Sequence, residues 1–379
     1  MNKIYLDNAA TTAMDEEVIE VMAQSMLGIY GNPSSVHQFG RSAKSEVEKA
    51  RKNIAKLLNV TASEIVFTAG GSEADNMILR NAVSHLQVQR IITSRIEHHA
   101  VLHTVEILKE DAGVEIVYVD INEDGSINME HFETLLKSST HKTLVSLMYV
   151  NNEIGSILDV DSVSKLCIEY NALFHSDAVQ AIGHYKVDLQ KTPIDFVVAS
   201  AHKFHGPKGV GLAYFKKGFG IKPILTGGSQ ERGARAGTEN VHGILGMEKA
   251  LEIGCENLDE DAEYIGGLKV YFIAQLELHL PEVKVNGAPM DKISTNYSIL
   301  NVRLPVDSQM LLFTLDLKGI AVSGGSACQS GSLGGSHVLN EILSAKDSLK
   351  TSIRFSFSKF NTHEEIDFVI HILKEILNK

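Results

Sequence analysis

Cysteine is scarce in this chain: three residues, Cys167, Cys255 and Cys328, among 379. So sparse and odd a set argues against a disulfide framework and suits a reducing compartment. No Cys-x-x-Cys pair occurs, which argues against a self-contained zinc or iron–sulfur centre. No apolar run approaches the roughly 18 residues of a membrane span. The opening Met1-Asn-Lys-Ile-Tyr-Leu-Asp7 lacks the apolar stretch of a signal peptide. No lysine- or arginine-rich block stands out, and acidic residues outnumber basic ones by 47 to 35, so no direct nucleic-acid partner is expected. Internal repeats and low-complexity tracts are missing too. These absences leave the expectation of an ordinary cytoplasmic protein, free of the membrane, with two or so domains and ample core.

What is there is an alternation of strands and helices. A first helix candidate follows Met14, with Asp15, Glu16 and Glu17 where a helix N-terminus favours negative charge. Gly31-Asn-Pro-Ser-Ser35 reads as a loop. Val47, Ala50, Ile54, Leu57 and Leu58 at helical spacing predict a second helix over about 42–58. Residues 65–67, 91–93, 115–119, 144–149, 173–177 and 196–200 read as strands, with a further helix over about 162–170. This predicts an α/β fold whose mostly parallel sheet carries helices on both faces and gathers ligands at the carboxyl ends of its strands. From about Asp259 the pattern changes to a helix reaching about Leu278, strands at 283–285 and 295–302, a helix near 308–317, a strand at 353–357 and a terminal amphipathic helix. We therefore expect a large domain over 15–258 and a smaller α+β domain formed by 1–14 and 259–379.

The stretch from Phe196 to Gly211 is the centre of the chemistry. An apolar run ends in Ser200, His202 and Lys203, and a glycine-punctuated turn follows. A lysine delivered into a cleft loses hydration, which lowers its pKa and frees a nucleophilic amine of the kind that forms Schiff bases. A solvent-facing lysine at a strand end is the plain alternative. Gly70-Gly71-Ser72, between a strand and a helix, forms a phosphate cup from free backbone N–H groups and a hydroxyl, or merely a tight turn. Asp177 closes a strand, where a carboxylate can sit under a pyridine ring or cap a helix. Gln180 follows within hydrogen-bonding reach of such a ring. His99 and His103 share a helix face at metal-ligand spacing, but no His-Glu-x-x-His pattern accompanies them, and one histidine stacked on an aromatic cofactor is the better functional reading. Cys328 sits in Ser323-Gly-Gly-Ser-Ala-Cys328-Gln-Ser-Gly-Ser-Leu-Gly-Gly335, a glycine- and serine-rich loop that should be mobile and keep the thiol exposed and reactive. Cys167 and Cys255 read as small core fillers. Arg354, at the end of a strand in the second domain, carries a planar fork suited to a carboxylate.

Taken together these pieces resemble the cysteine desulfurases of the NifS/IscS type, within the class V aminotransferases and the fold-type I (aspartate-aminotransferase-like) enzymes that use pyridoxal 5'-phosphate (PLP). Tyr5-Leu-Asp-Asn-Ala-Ala-Thr-Thr12, Gly31-Asn-Pro-Ser-Ser35, Val150-Asn-Asn-Glu-Ile-Gly155, Asp177-Ala-Val-Gln180, Ser200-Ala-His-Lys203, Arg235-Ala-Gly-Thr238 and Ser326-Ala-Cys328 fall in that family's order and spacing over essentially the whole chain.

The resemblance implies that Lys203 carries PLP covalently and that His98, rather than His99, stacks on its ring. Gly71, Ser72, Ser200 and His202 would hold the phosphate, and Thr238 would reach the phosphate of the second copy in a homodimer. Asn152 and Arg354 would bind the carboxylate of L-cysteine, with Asn152 also near the ring beside Gln180. Cys328 would take the substrate's sulfur as a persulfide and pass it to an acceptor protein, an iron–sulfur scaffold or a tRNA-thiolation enzyme. No intrinsic metal is implied, and Cys328 would be at most a transient iron–sulfur ligand shared with a scaffold. Another aminotransferase or a selenocysteine lyase on the same fold would keep Lys203 and make Cys328 incidental. A sulfur-relay protein without catalysis would keep only Cys328. Two departures stand out. Relatives of the iron–sulfur pathway extend past the point where this sequence stops, at Lys379, which bears on scaffold docking. Gly334-Gly335 replaces an acidic residue and proline, which should loosen the loop.

Overall fold

The computed structural model describes residues 3–288, 295–308, 310–324 and 335–377. The short strand β1 (Ile4–Tyr5) leads to helices α1 (Glu16–Gly28) and α2 (Gln38–Leu57). Asp15 caps α1 by accepting from Glu17 N at 3.1 Å, as its acidic first turn suggests. α2 starts four residues ahead of expectation, because the ring of His37 accepts from Gly40 N and supplies the cap. The chain then alternates: β2 (Ile65–Thr68), α3 (Gly71–Ser84), β3 (Arg90–Ser94), α4 (His99–Ala112), β4 (Glu115–Val119), α5 (Met129–Lys137), β5 (Thr143–Ser146), α6 (Val160–Glu169), β6 (Leu173–Asp177), β7 (Phe196–Ser200) and β8 (Gly211–Phe215).

These strands form a seven-stranded sheet in the order β2-β8-β7-β6-β5-β3-β4. All its pairings are parallel except those of β8, which runs antiparallel to both β2 and β7. β8 is reversed because only a short turn separates it from β7, and a parallel return needs a helical crossover. The sheet is buried on both faces. Along β7, Phe196 and Val198 join the apolar layer under α3 and α4, while Val197 and Ala199 join the layer packed by α1, α2, α5 and α6. Helix α7 (Val241–Glu256) completes that second layer. Its glycines weaken the helical signal in the sequence, and packing explains one of them: a Cβ on Gly246 would lie 2.7 Å from Met22 Sδ of α1.

Beyond it stand α8 (Leu258–His279), β9 (Lys284–Asn286), β10 (Ile299–Arg303), α9 (Leu311–Leu317), β11 (Ile320–Ala321), α10 (His337–Ile342), β12 (Ser352–Ser356) and α11 (His363–Leu377). β12, β10 and β9 make an antiparallel sheet, and β1 pairs in parallel with β11. Their apolar faces meet α8 and α11 in a separate core, where the Phe272 ring lies 4.8 Å from Phe355 and 5.7 Å from Phe357. Arg354 stands in the middle of β12, not at a strand end, because the ladder with β10 runs on through Ser352. β10 begins only at Ile299, because the Asn296 side chain takes up the amides of Ser298 and Ile299. Cys167 is buried in the core of the seven-stranded sheet, and Cys255 is half-buried against that core. Cys328 and most of its loop lie outside the described residues. Both flanks of that loop are anchored, Ser323 to Arg354 through main-chain bonds and Ser336 as the cap of α10. No helix of the described residues is long and apolar enough to cross a membrane.

Phe272 is fully buried in the smaller core, against Phe355 and Phe357. Phe272→Ala should lower the unfolding free energy by about 3–5 kcal/mol, read by denaturant titration of far-UV dichroism. A loss below about 1 kcal/mol would mean that this core closes around the gap.

Candidate active site

The carboxyl ends of β6 and β7 open into a cavity of about 250 Å³ lined by Ala9, Ala10, Gly71, Ser72, Asp75, His98, Met148, Val150, Asn152, Asp177, Val179, Gln180, Ser200, His202, Lys203 and Arg354. Ten of the residues singled out in the sequence are therefore neighbours here: Gly71, Ser72, His98, Asn152, Asp177, Gln180, Ser200, His202, Lys203 and Arg354. His99 does not line the cavity; its ring packs against His103 and His337 instead. Thr238 lies in a different groove, with Thr68, Arg235 and Asn240. Cys328 lies outside the described residues.

At one end of the cavity the first turn of α3 presents its unpaired amides beside Ser72, Ser200 and His202. A Cβ on Gly71 would lie 2.9 Å from Val179 Cγ2, and one on Gly211 would lie 2.8 Å from Gly70 Cα. Glycine at both positions keeps this cradle open. Burial, then the charges of Lys203 and Lys208, push the His202 pKa down to about 4, so its ring is neutral at pH 7. Its Nδ1 meets Thr11 Oγ1 at 3.1 Å.

Lys203 sits on the single helical turn that follows β7, and its Nζ donates to Ala9 O and Ala10 O, each at 2.7 Å. Gln180 also donates to Ala9 O, at 2.8 Å. The segment after β1 thus closes one wall, a contribution hidden in the sequence because it is made by main-chain carbonyls. Asp177 Oδ1 accepts from Val179 N at 3.0 Å. Burial raises the Asp177 pKa, against the pull of His98, the Val179 amide and Lys203. His98 caps α4 by accepting from Ala100 N at 3.1 Å, and burial pushes its own pKa down.

Arg354 is only 1% exposed. Its Nη1 donates to Asn152 O at 2.7 Å and its Nη2 to Asp7 Oδ1 at 2.8 Å, while Nε is buried without a partner. An orphaned guanidinium donor in the lining of a cavity is a seat for an oxyanion. The arrangement can hold a phosphate at the α3 end, a planar ring with a basic nitrogen beside Asp177, and a carboxylate at Arg354.

Two buried acids escaped the sequence analysis as functional residues, Asp75 and Glu97. Glu97 sits where β3 hands over to α4, beside a second cavity of about 370 Å³. Its Oε1 accepts from Ser94 Oγ at 2.7 Å and from Met148 N at 3.1 Å, which diverts the chain after β5 from the strand expected up to 149. Only its place next to His98 hinted at it. Burial pushes its pKa up to about 8. The folded chain therefore keeps a proton on Glu97 that the unfolded chain loses near its ordinary value of 4.5. Stability from this acid is full below that value and drains as pH rises through about 8. Glu97→Gln stays neutral and keeps the Oε1 acceptor, so its melting temperature relative to wild type should climb steadily over that window. Parallel curves of melting temperature against pH would show that Glu97 is ionised in the fold.

The aminotransferase class-V family model matches residues 4–369. The chain is 40% identical over 379 residues to the cysteine desulfurase IscS of Dictyoglomus turgidum, covering all of this chain and 95% of that protein. It is 43% identical over 370 residues to the putative cysteine desulfurase IscS 1 of Bacillus subtilis, covering 97% of this chain and 96% of that one. Among solved structures, a NifS-like protein superposes with a TM-score of 0.91 at 37% identity, with both chains fully covered. On these grounds, the chain belongs to the class-V aminotransferase family, among its cysteine desulfurases.

Proposed function

We propose that this chain is a homodimeric, PLP-dependent cysteine desulfurase that moves the sulfur of L-cysteine onto Cys328 and leaves alanine. The observation that carries this reading is the meeting in one cavity of Lys203, Asp177, His98, the N-terminus of α3 and the buried Arg354, contributed by stretches far apart in the chain. The residues fit the cofactor. Gly71, Ser72, Ser200 and His202 would hold its phosphate, Asp177 and Gln180 its ring, His98 one face of that ring, and Lys203 its aldehyde carbon. When bound, PLP supplies an electron sink for charge developing on an amino acid's carbon atoms.

The chain's own groups do the rest. Arg354 Nε, with Asn152, orients the carboxylate of L-cysteine. Lys203 Nζ takes up the Cα proton, and the neutral ring of His98 gives or accepts a proton at the cavity's edge. Cys328, as thiolate, forms a sulfur–sulfur bond with the substrate while the substrate's carbon–sulfur bond breaks, and Cys328 then holds a persulfide. Ser323, five residues before Cys328, is bonded through its main chain to Arg354 in the cavity wall. Five residues span at most about 17 Å, a chain length that is compatible with sulfur transfer from a substrate held at Arg354.

Dimerisation is supported by apolar side chains that this single chain leaves in water: Leu27 at 84% exposure, Tyr30 at 70% and Val36 at 88% lie together in the sequence at the end of α1 and in the loop after it. Thr238, outside the cavity of its own chain, would then serve the cofactor phosphate of the second copy. We read 15–258 and 1–14 with 259–379 as the two domains, the apolar core around Phe272 belonging to the second. The persulfide acceptor would be an iron–sulfur scaffold or a tRNA-thiolation protein. Sparse cysteines suit the cytoplasm.

Two variants test this reading. Lys203→Ala should lose the visible absorbance of the covalently bound cofactor, and retention would place the attachment on another lysine. Cys328→Ser should keep that absorbance but form almost no alanine from cysteine. In wild type the peptide containing Cys328 should gain the mass of one sulfur atom after incubation with cysteine. Normal turnover by Cys328→Ser would overturn the sulfur-transfer role and favour a lyase.

A further inference from the structure

One buried group in the cavity has no task in that scheme. Asp75 lies on α3, three residues beyond Ser72, and lines the cavity. It is 1% exposed, and its Oδ1 has no hydrogen-bond partner. Ligand atoms of Asp75, His98 and Asp177 all lie within 4.8 Å of one another.

The groups facing Asp75 give it little reason to ionise. From β6 come Asp177 and His175. His175 Nε2 stands 3.5 Å from Asp75 Oδ1, at the limit of a hydrogen bond, while its Nδ1 meets Ser146 Oγ at 2.9 Å. Burial pushes the His175 pKa down to about 3, so this ring is neutral. From the start of α4 come Glu97, another buried acid, and His98. Burial raises the Asp75 carboxyl well above its ordinary range, and Asp177 and Glu97 add to the rise.

Asp177 is better placed to carry charge. It accepts the Val179 amide, and His98 and Lys203 favour its anion. Two carboxyls this close and this deeply buried do not both ionise readily, and these surroundings choose between them.

We propose that Asp75 is a positioning residue, a buried neutral acid that retains the proton of the pair and so leaves Asp177 as its only anion. What that anion serves rests on the cofactor reading above, but the protonation of Asp75 does not. The proposal assigns α3 a double role, its first turn receiving an anion while the next fixes which of two acids is charged. A neutral Asp75 also leaves the cavity one negative charge lighter, which favours entry of an anionic cofactor and an anionic substrate.

Infrared spectroscopy of the full chain as purified, at neutral pH, reads the proton directly. Wild type should show protonated-carboxyl absorption, of which Asp75→Asn removes one component and Glu97→Gln a different one. Asp75→Asn, a neutral isostere, should keep cofactor affinity within about threefold of wild type, whereas Asp177→Asn should weaken it by more than about tenfold. If Asp75→Asn does not fold, as judged by circular dichroism, Asp75→Ser repeats the reading with a smaller neutral donor. Acid absorption from which Asp75→Asn removes no component would overturn the assignment. So would its absence from wild type, as a cation bridging two carboxylates would cause, or an affinity loss in Asp75→Asn as large as that in Asp177→Asn. The infrared result stands whether or not the chain binds PLP or turns over cysteine, so failure of this inference and failure of the proposed function are distinguishable.

Discussion

The site depends on one constraint above all: a carboxyl kept out of water at the end of β6. Asp177 is almost wholly buried, and burial raises its pKa against the pull of His98, the Val179 amide and Lys203. Burial makes the charge expensive, and these three partners make it affordable. The same dry setting strengthens whatever polar contact a ligand makes there. Asp177 shares this cavity with the buried Arg354 and with the part-exposed Lys203.

The fold supplies that burial by topology. Parallel strands β5, β6 and β7 end on the same edge, and each end carries a polar residue or leads directly to one. Helix α3 points its N-terminus at the same edge and so brings free amides to the opening. The remaining walls come from far away in the chain. Ala9 and Ala10 arrive just beyond β1, whose parallel partner β11 belongs to the smaller sheet region, and Arg354 arrives in the middle of β12. Asp7 ties these together by accepting from Arg354 Nη2 and from Ser323 Oγ at 2.9 Å. The buried Arg354 fork, the N-terminal segment and the approach to the Cys328 loop thus share a single side chain.

Much of this was legible in the sequence for a physical reason. A β-branched run that ends in Asp177, or in Ser200-Ala-His-Lys203, signals both a buried strand and the polar group at its exit. Gly70-Gly71-Ser72 announced the tight turn that opens α3 onto the cavity, and the longer match to a known family singled out His98, which lines it, over His99, which does not. What stayed hidden was chemistry without a local signature. Asp75 reads as an ordinary acid near the start of a helix, and only the packing of α3 on the sheet turns it inward. Glu97 is likewise silent until Met148 N is seen to bond it. The walls formed by Ala9 O and Ala10 O carry no side-chain signal at all. Helix α7 was obscured by its glycines, of which Gly246 is required by packing against α1, and β8 by the shortness of the turn leading into it. The placement of Arg354 at a strand end failed because ladder bonds with β10, not composition, decide where β12 stops.

The central claim is that the amine of Lys203 and the buried acid at position 177 form one seat for a carbonyl cofactor. Borohydride reduction of the protein purified with PLP, followed by digestion and mass analysis, tests it most directly, because reduction fixes the cofactor to whichever amine holds it. The peptide containing Lys203 should carry the reduced adduct in wild type, and Asp177→Asn should weaken retention of the cofactor before reduction. An adduct on another lysine, or none at all from a protein saturated with PLP, would contradict the claim.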